Sequence, residues 1–205
     1  MSLLLPAFSV STLLVVVALR SNDVPTIDGA TNPATIAELA GSSAAQDIPE
    51  VTGTITVTDQ DLGDTLTVSV KGNATASYNG AAVPVSDAAD VSALIASSAV
   101  SFGALTSNGG QQTINWKYNP VAADLDWLRK DDVLTLTYVA QVTDGQGNVG
   151  AQDLVITITG TNDGPALSDT TDPVTVVELT DASAQDMAVL SGSFALSDRD
   201  VGDTL

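Results

Sequence analysis

Residues 51–70 read VTGTITVTDQDLGDTLTVSV, and this stretch decides the fold. Apolar residues alternate with threonine or serine over residues 51–58 and again over residues 65–70, which is the period of a half-buried β-strand. The DQDLGD segment between them consists mainly of the turn-forming residues Asp and Gly. We therefore predict two strands, joined as a hairpin by an acidic turn.

Further along the chain, the same alternation predicts several more strands. They are Thr113–Tyr118, Val133–Thr143, Asp153–Thr159 and Val174–Leu179. Helical patterns are scarce: residues 87–98 form one candidate, with Asp90 as a possible cap, and residues 124–130 could form a single turn. About seven short strands with turns between them predict an all-β fold, an antiparallel β-sandwich of the immunoglobulin type.

The chain contains an internal repeat, which predicts a tandem array. Residues 22–39 match residues 162–179 at 8 of 18 positions with an offset of 140. Residues 46–66 match residues 185–205 at 9 of 21 positions with an offset of 139. The unit is therefore about 140 residues long, the length of a domain. We predict a complete unit at residues 22–161 and the beginning of the next unit at residues 162–205.

Residues 1–21 form a separate, mostly apolar segment. Residues 14–20 align with residues 154–160, so we interpret the segment as the remnant strand of a preceding repeat, or as a non-native start. A secretory signal or membrane anchor is the alternative. It fits less well, because no basic residue precedes the apolar run and Pro6 interrupts it. No membrane insertion is expected.

The charge of the chain excludes several functions. It has 25 acidic and 6 basic residues, for a formal net charge of −19. Nucleic acid is not expected as a partner, because phosphate binding needs Lys and Arg. There is no Cys and no His, so disulfides and sites that need thiolate or imidazole are impossible. An acidic chain of this kind fits divalent cations.

The sequence predicts no enzymatic activity. It has neither a GxSxG nucleophile turn nor a phosphate-binding loop. Gly145, Gly147 and Gly150 spell GxGxxG, but they lie between two predicted strands and no helix follows, so they fail the context test for a dinucleotide site.

A calcium site is predicted at the entry end of the complete unit. In an immunoglobulin-type sandwich, the entry linker and the loops at residues 59–64 and 144–148 meet at one end. The candidate ligands are Asp23, Asp59, Asp61, Asp64 and Asp144, with Asn22 and Asn148 beside them. Oxygen donors without His or Cys favour Ca²⁺. The alternative is that these Asp-Gly loops are only turns.

A second site is predicted where the next unit begins. Its candidate ligands are Asn162, Asp163, Asp198 and Asp200, followed by Asp203. Glu38 closes the first predicted strand at the opposite tip of the unit and should reach the linker around Asn162. We expect the entry site to be the better populated of the two, because the second lacks its later loop.

Four motifs together resemble the VCBS repeat, a cadherin-like module of large bacterial (RTX-type) surface adhesins: GTITVTDQDLGDTLTVSV, INWKYNP, LDWLRKDDVLTLTYVAQVTDGQGN and ITITGTNDGP. The resemblance implies that Asp59, Asp61 and Asp144 are calcium positions at the domain top. It also places Glu38, with residues 162–163, at the lower junction. The linker TNDGP departs from the longer acidic linker of cadherins, which leaves the number of ions per junction open.

The resemblance further implies export by a type I secretion system, placement at the bacterial surface and a role in adhesion or biofilm formation. We expect a spacer that calcium stiffens between neighbouring repeats of the same chain. The alternative is a lectin-like module that binds a surface glycan or exopolysaccharide through Trp116 and Trp127. Alternation favours Trp116 as core and Trp127 as a plug at the sandwich edge. Residues 162–205 should be loosely held or borrow an edge of the first domain.

Overall fold

The structure is a computed structural model and describes residues 21–31, 35–41, 48–120, 123–169, 171, 177–178, 180, 189–200 and 202–204. The predicted remnant strand or leader at residues 1–20 lies outside these residues. So does most of the predicted strand Val174–Leu179.

The described residues are almost entirely β. In chain order the elements are β1 (Thr26–Ala30), β2 (Ile36–Ala37), β3 (Val51–Thr58), β4 (Thr65–Val70), β5 (Thr75–Tyr78), α1 (Ala88–Leu94), a 3₁₀ turn (Ser97–Ala99), β6 (Val100–Phe102), β7 (Ala104–Thr106), β8 (Gln111–Tyr118), β9 (Val133–Thr143), β10 (Val149–Thr159), β11 (Ala166–Ser168) and β12 (Ala195–Ser197).

The strands form two main sheets. The smaller sheet has the order β1-β3-β8-β6, and the larger has the order β2-β10-β9-β4-β7, with β5 also paired to β9. The pairings are antiparallel, apart from the short parallel contact of β2 with β10.

One hydrophobic core takes its side chains from both main sheets. In β9 every second residue is buried, from Leu134 to Val142, because successive side chains of a strand point to opposite faces. Ile55 from the smaller sheet and Leu136 and Ile156 from the larger are fully buried in the same cluster. The all-β class is confirmed, and two sheets around a shared core have the architecture of a β-sandwich.

Three predicted strands, β3, β4 and β9, have the predicted bounds. Two others begin earlier than predicted: β8 at Gln111 and β10 at Val149. Gln111 pairs with Thr58, and Val149 pairs with Thr143. These early residues belong to the strands through backbone ladders, which polar side chains do not reveal.

The predicted hairpin of β3 and β4 is wrong. β3 pairs with β1 and β8 in the smaller sheet, whereas β4 pairs with β9 and β7 in the larger sheet. The acidic loop at residues 59–64 therefore crosses from one sheet to the other. Alternation of side chains predicts a strand but not its partner.

Other differences concern the helix and the first strand. Asp87, rather than Asp90, holds the N-cap position of α1, and Asp90 lies in the first helical turn. Residues 124–130 form turns, with Leu128 N–H donating to Leu125 O at 2.8 Å. The strand predicted to end at Glu38 is present only as the two-residue β2, and the preceding β1, which lies in the other main sheet, was not predicted. None of the helices in the described parts of the chain has the length and apolar character needed to cross a bilayer.

The antiparallel pairing of β11 with β12 repeats the pairing of β1 with β3. Leu167 pairs with Leu196, as Ile27 pairs with Val57 at offsets of 140 and 139. The side chain of Thr171 bonds to Ser193 O and N, as the equivalent Thr31 bonds to Thr54. Within the described residues β11 and β12 pair with each other and not with an edge of either main sheet.

Candidate metal sites

The entry site comprises Asn22, Asp23, Asp59, Asp61, Asp64 and Asp144, and its residues come from three segments at one end of the sandwich. Asn22 Nδ2 donates to Asp144 Oδ2 at 2.7 Å. Asp23 N–H donates to Asp61 Oδ2 at 2.5 Å. These bonds tie the linker before β1 to the β9–β10 loop and to the β3–β4 loop. The three segments expected to meet therefore lie together.

In two entry-site carboxylates, one of the two oxygens accepts a hydrogen bond that forms a turn. Asp59 Oδ1 accepts from Asp61 N–H at 2.8 Å, and Asp144 Oδ1 accepts from Gln146 N–H at 2.7 Å. Aspartate favours such local bonds to the backbone two residues on. Gly63 adds a left-handed conformation (φ +98°) that glycine adopts without strain. These aspartates therefore form turns, but the turn hydrogen bonds occupy only one of the two oxygens of each carboxylate.

Three side-chain oxygens of the entry site are buried and have no hydrogen-bond partner: Asn22 Oδ1, Asp59 Oδ2 and Asp64 Oδ2. Asp59 is only 1% exposed. Leaving a charged oxygen buried without a donor is costly. A cation bound among these oxygens would remove that cost, and Ca²⁺ accepts six to eight oxygen ligands in flexible geometry. The residues present therefore fit calcium.

The entry-site carboxylates affect one another electrostatically. Burial raises the pKa of Asp64, and the charges of Asp59, Asp61 and Asp144 raise it further. The hydrogen bond from Asn22 lowers the pKa of Asp144. An open cavity of about 490 Å³ adjoins Asn22, Asp61 and Asp64, so solvent ions have access to the carboxylates.

The exit site comprises Glu38, Asn162, Asp163, Asp198, Asp200 and Asp203. It repeats the hydrogen bonds of the entry site. Asp163 N–H donates to Asp200 Oδ2 at 2.9 Å, as Asp23 donates to Asp61. Asp200 N–H donates to Asp198 Oδ1 at 3.1 Å, as Asp61 donates to Asp59. The same loop geometry is therefore built twice.

The exit site holds the tightest carboxylate group among the described residues. Oxygens of Asp198, Asp200 and Asp203 all lie within 4.8 Å of one another. Asp163 Oδ2 and Asp200 Oδ1 are buried without a hydrogen-bond partner. The closest trio thus lies at the exit site, and the expectation that the entry site is the better populated one stays a prediction.

Burial raises the pKa of Asp200, and the charges of Asp163, Asp203 and Asp198 add to the rise, against the hydrogen bond from Asp163 N–H. The exit site therefore has the same electrostatic character as the entry site: a buried carboxylate beside other acids. Both would gain from a divalent cation.

Glu38 connects the body of the unit to the linker. Glu38 Oε1 accepts from Thr161 N–H at 3.0 Å and from Thr161 Oγ1 at 3.2 Å. Gly41 N–H donates to Asp163 Oδ1. Asn162 is exposed, and its Nδ2 donates to Asp163 O at 2.7 Å. Glu38 thus reaches the linker one residue before the predicted contact at Asn162.

Sequence analysis missed an ion pair beside the exit site. Arg199 Nη1 contacts Asp124 Oδ2 at 3.1 Å and also binds Asp126 Oδ2. Asp126 is 3% exposed, and its N–H donates to Asp124 Oδ1 at 3.1 Å. The DLD spacing of residues 124–126 repeats the Asp-x-Asp spacing of the two acidic loops, which was the available indication.

Both tryptophans belong to the interior. Trp116 is 1% exposed, and Trp127 is 8% exposed. The ring of Trp127 packs against Tyr78 with a centroid distance of 5.4 Å. Neither indole offers an open face on which a sugar ring could stack.

Substituting Gly150 by alanine should weaken the entry site without touching a ligand. A Cβ at this position would overlap Pro25 O, so β10 or the backbone at Pro25, which continues the linker with Asn22 and Asp23, must shift. We expect a loss of about 1–2 kcal/mol in the free energy of unfolding and a several-fold loss of calcium affinity. Urea unfolding and calcium titration measure the two effects. Gly29→Ala is the control, because its Cβ would meet open space; equal effects of both substitutions would contradict the prediction.

The chain was compared with known proteins. No family model matches it, and no curated protein matches it. Among solved structures it is similar to the ASH / PapD-like domain of human CEP192 (PapD-like domain 7), with 10% sequence identity over 76% of this chain and 97% of that chain. The TM-score is 0.34.

Proposed function

We propose that the chain is a calcium-stiffened spacer of the immunoglobulin/cadherin-like class, a tandem repeat of a secreted bacterial surface adhesin that acts in cell adhesion or biofilm formation. The observation that carries the calcium part is the set of buried carboxylate oxygens that have no hydrogen-bond donor at either end of the unit. These oxygens belong to Asp59 and Asp64 at the entry site and to Asp163 and Asp200 at the exit site. The proposal assigns no catalysis to the chain.

The tandem arrangement is supported by the duplicated local structure. The hydrogen bond from Asp23 to Asp61 recurs from Asp163 to Asp200, and the strand contact behind each loop recurs with it. An acidic loop that is rebuilt at the start of the next unit suits a junction between neighbouring repeats. A cation held there would join two units and restrict their relative motion.

The secreted location and the adhesive role come from the resemblance of the four sequence motifs to VCBS repeats. The high negative charge and the absence of Cys and His are compatible with calcium as the ligand of an extracellular protein. Against the glycan-binding alternative, the two tryptophans that it relied on are buried.

Calcium should raise the melting temperature of the chain. At a calcium concentration ten times the dissociation constant, binding adds about 1.4 kcal/mol per site, or about 3–6 °C for a chain of this length. Scanning calorimetry of the whole chain in chelator, in Ca²⁺ and in Mg²⁺ measures the effect, and Mg²⁺ should act less because it requires a stricter octahedral site.

Superimposable melting curves in chelator and calcium would reject the proposal. An exopolysaccharide column run in calcium tests the lectin alternative separately. A spacer should pass through unretained, whereas retention that a soluble fragment of the same polysaccharide competes away would favour the glycan binder.

A further inference from the structure

Arg199 lies between the two sets of acids that meet at the exit site. It follows Asp198 and precedes Asp200, yet its guanidinium points to Asp124 and Asp126 in the turn after β8. The Arg199 side chain is 52% exposed, whereas that of Asp126 is 4% exposed. The pair therefore joins a solvent-facing cation on the exit-site loop to a buried anion of the sandwich.

The exit-site loop sits closely on this turn. The backbone at Gly202 lies against the guanidinium of Arg129, which a Cβ at this position would displace, and its left-handed conformation (φ +83°) favours glycine. A cavity of about 180 Å³ is lined by Asp126, Asp163 and Arg199. Arg199 thus borders the same small cavity as Asp163, one of the candidate calcium ligands.

The entry site provides an internal comparison. At an offset of 139, the residue equivalent to Arg199 is Gln60, which is neutral, and the residue equivalent to Gly202 is Gly63. A Cβ on Gly63 would meet open space within 4 Å, whereas that on Gly202 would not. The two acidic loops therefore share a backbone and differ in whether a cation of the chain itself is built in.

We propose that Arg199 is a tethered cation that docks the exit-site loop onto the turn at residues 124–129 when calcium is absent. Its guanidinium neutralises Asp124 and Asp126, and its fixed charge lowers the affinity of the adjacent exit site for a second cation. The junction then stays partly assembled in calcium-poor conditions. The calcium half of this inference rests on the proposed function, whereas the docking half does not.

Hydrogen exchange with mass spectrometry on the whole chain tests both halves, because peptides covering residues 162–169 and 195–204 report on the exit site alone. The test variant is Arg199→Gln, which installs the residue found at position 60. In chelator, we expect these two peptides to exchange about tenfold faster in the variant than in wild type. As calcium is added, we expect the variant to become protected at a several-fold lower calcium concentration.

Two further variants and one internal standard serve as comparisons. Arg199→Lys keeps the positive charge and should stay near wild type in both measurements. Peptides covering β9 should exchange alike in all proteins, which shows that the sandwich is folded. Asp126→Asn should speed exchange in chelator as Arg199→Gln does.

If Arg199→Gln exchanges at the same rate as wild type in chelator, Arg199 does not dock the loop. If the variant exchanges faster in chelator but becomes protected at the same calcium concentration as wild type, Arg199 does not lower the calcium affinity of the exit site. If calcium protects neither protein, the proposed function fails, and the difference in chelator still decides whether Arg199 docks the loop.

Discussion

Replacing Asp59 by asparagine should lower the calcium affinity of the entry site by about 100-fold, or about 2.7 kcal/mol, while stabilising the calcium-free protein. Asparagine keeps the oxygen that accepts from Asp61 N–H, so the turn survives. It removes the buried charge on the oxygen that has no donor, Asp59 Oδ2. It also removes one of the charges that raise the pKa of Asp64. If Asp59 is a calcium ligand, Asp59→Asn should raise the free energy of unfolding in chelator. If Asp59 serves only the turn, the substitution should lower it.

Urea unfolding with and without calcium, together with calorimetric titration, measures this sign change. The matched control is Asp132→Asn. Hydrogen bonds from Tyr78, Asn79 and Arg129 N–H to this carboxylate outweigh the effect of burial and lower the pKa of Asp132. Its ionised form is thus stabilising, and the control should lose stability equally in chelator and in calcium. Asp59→Asn behaving like Asp132→Asn would show that Asp59 serves only the turn.

Replacing Trp116 by alanine should cost about 3–5 kcal/mol of unfolding free energy, the largest effect on stability that we expect. Trp116 is 1% exposed and pairs across the sheet with Gly53. A Cβ on Gly53 would overlap the indole, so the ring fills the space that glycine leaves. Alanine would leave that space empty.

Equilibrium unfolding in urea, in chelator and in calcium, measures this loss, which should be of similar size in both conditions. Trp116→Phe keeps most of the ring and loses no hydrogen bond, because the indole N–H has no partner. It should lose less than half as much and remain measurable if the alanine variant does not fold. Val85→Ala, at a residue that is 94% exposed, should change stability by less than about 0.5 kcal/mol. A Trp116→Ala protein as stable as this control would refute the core assignment.

Part of the candidate site could be predicted because it depends on local chemistry. The Asp-x-Asp loops form turns through bonds between residues two apart, such as Asp61 N–H to Asp59 Oδ1. The position of each loop between the predicted strands indicates at which end of the sandwich it lies. The recurrence of Asp23, Asp59 and Asp61 as Asp163, Asp198 and Asp200 is a property of the sequence alone. Which carboxylate oxygen stays without a donor depends on burial and could not be predicted.

The sequence by itself determined the all-β class, the bounds of β3, β4 and β9 and the residues that supply oxygen at each end, because side-chain alternation and turn chemistry act over a few residues. Only the tertiary structure decided which sheet each strand joins. It placed β3 and β4 in different sheets, and likewise β1 and β2. It also brought Arg199 to Asp126, 73 residues away. Pairing of strands and of charges across the chain depends on packing of the whole domain, which no local pattern records.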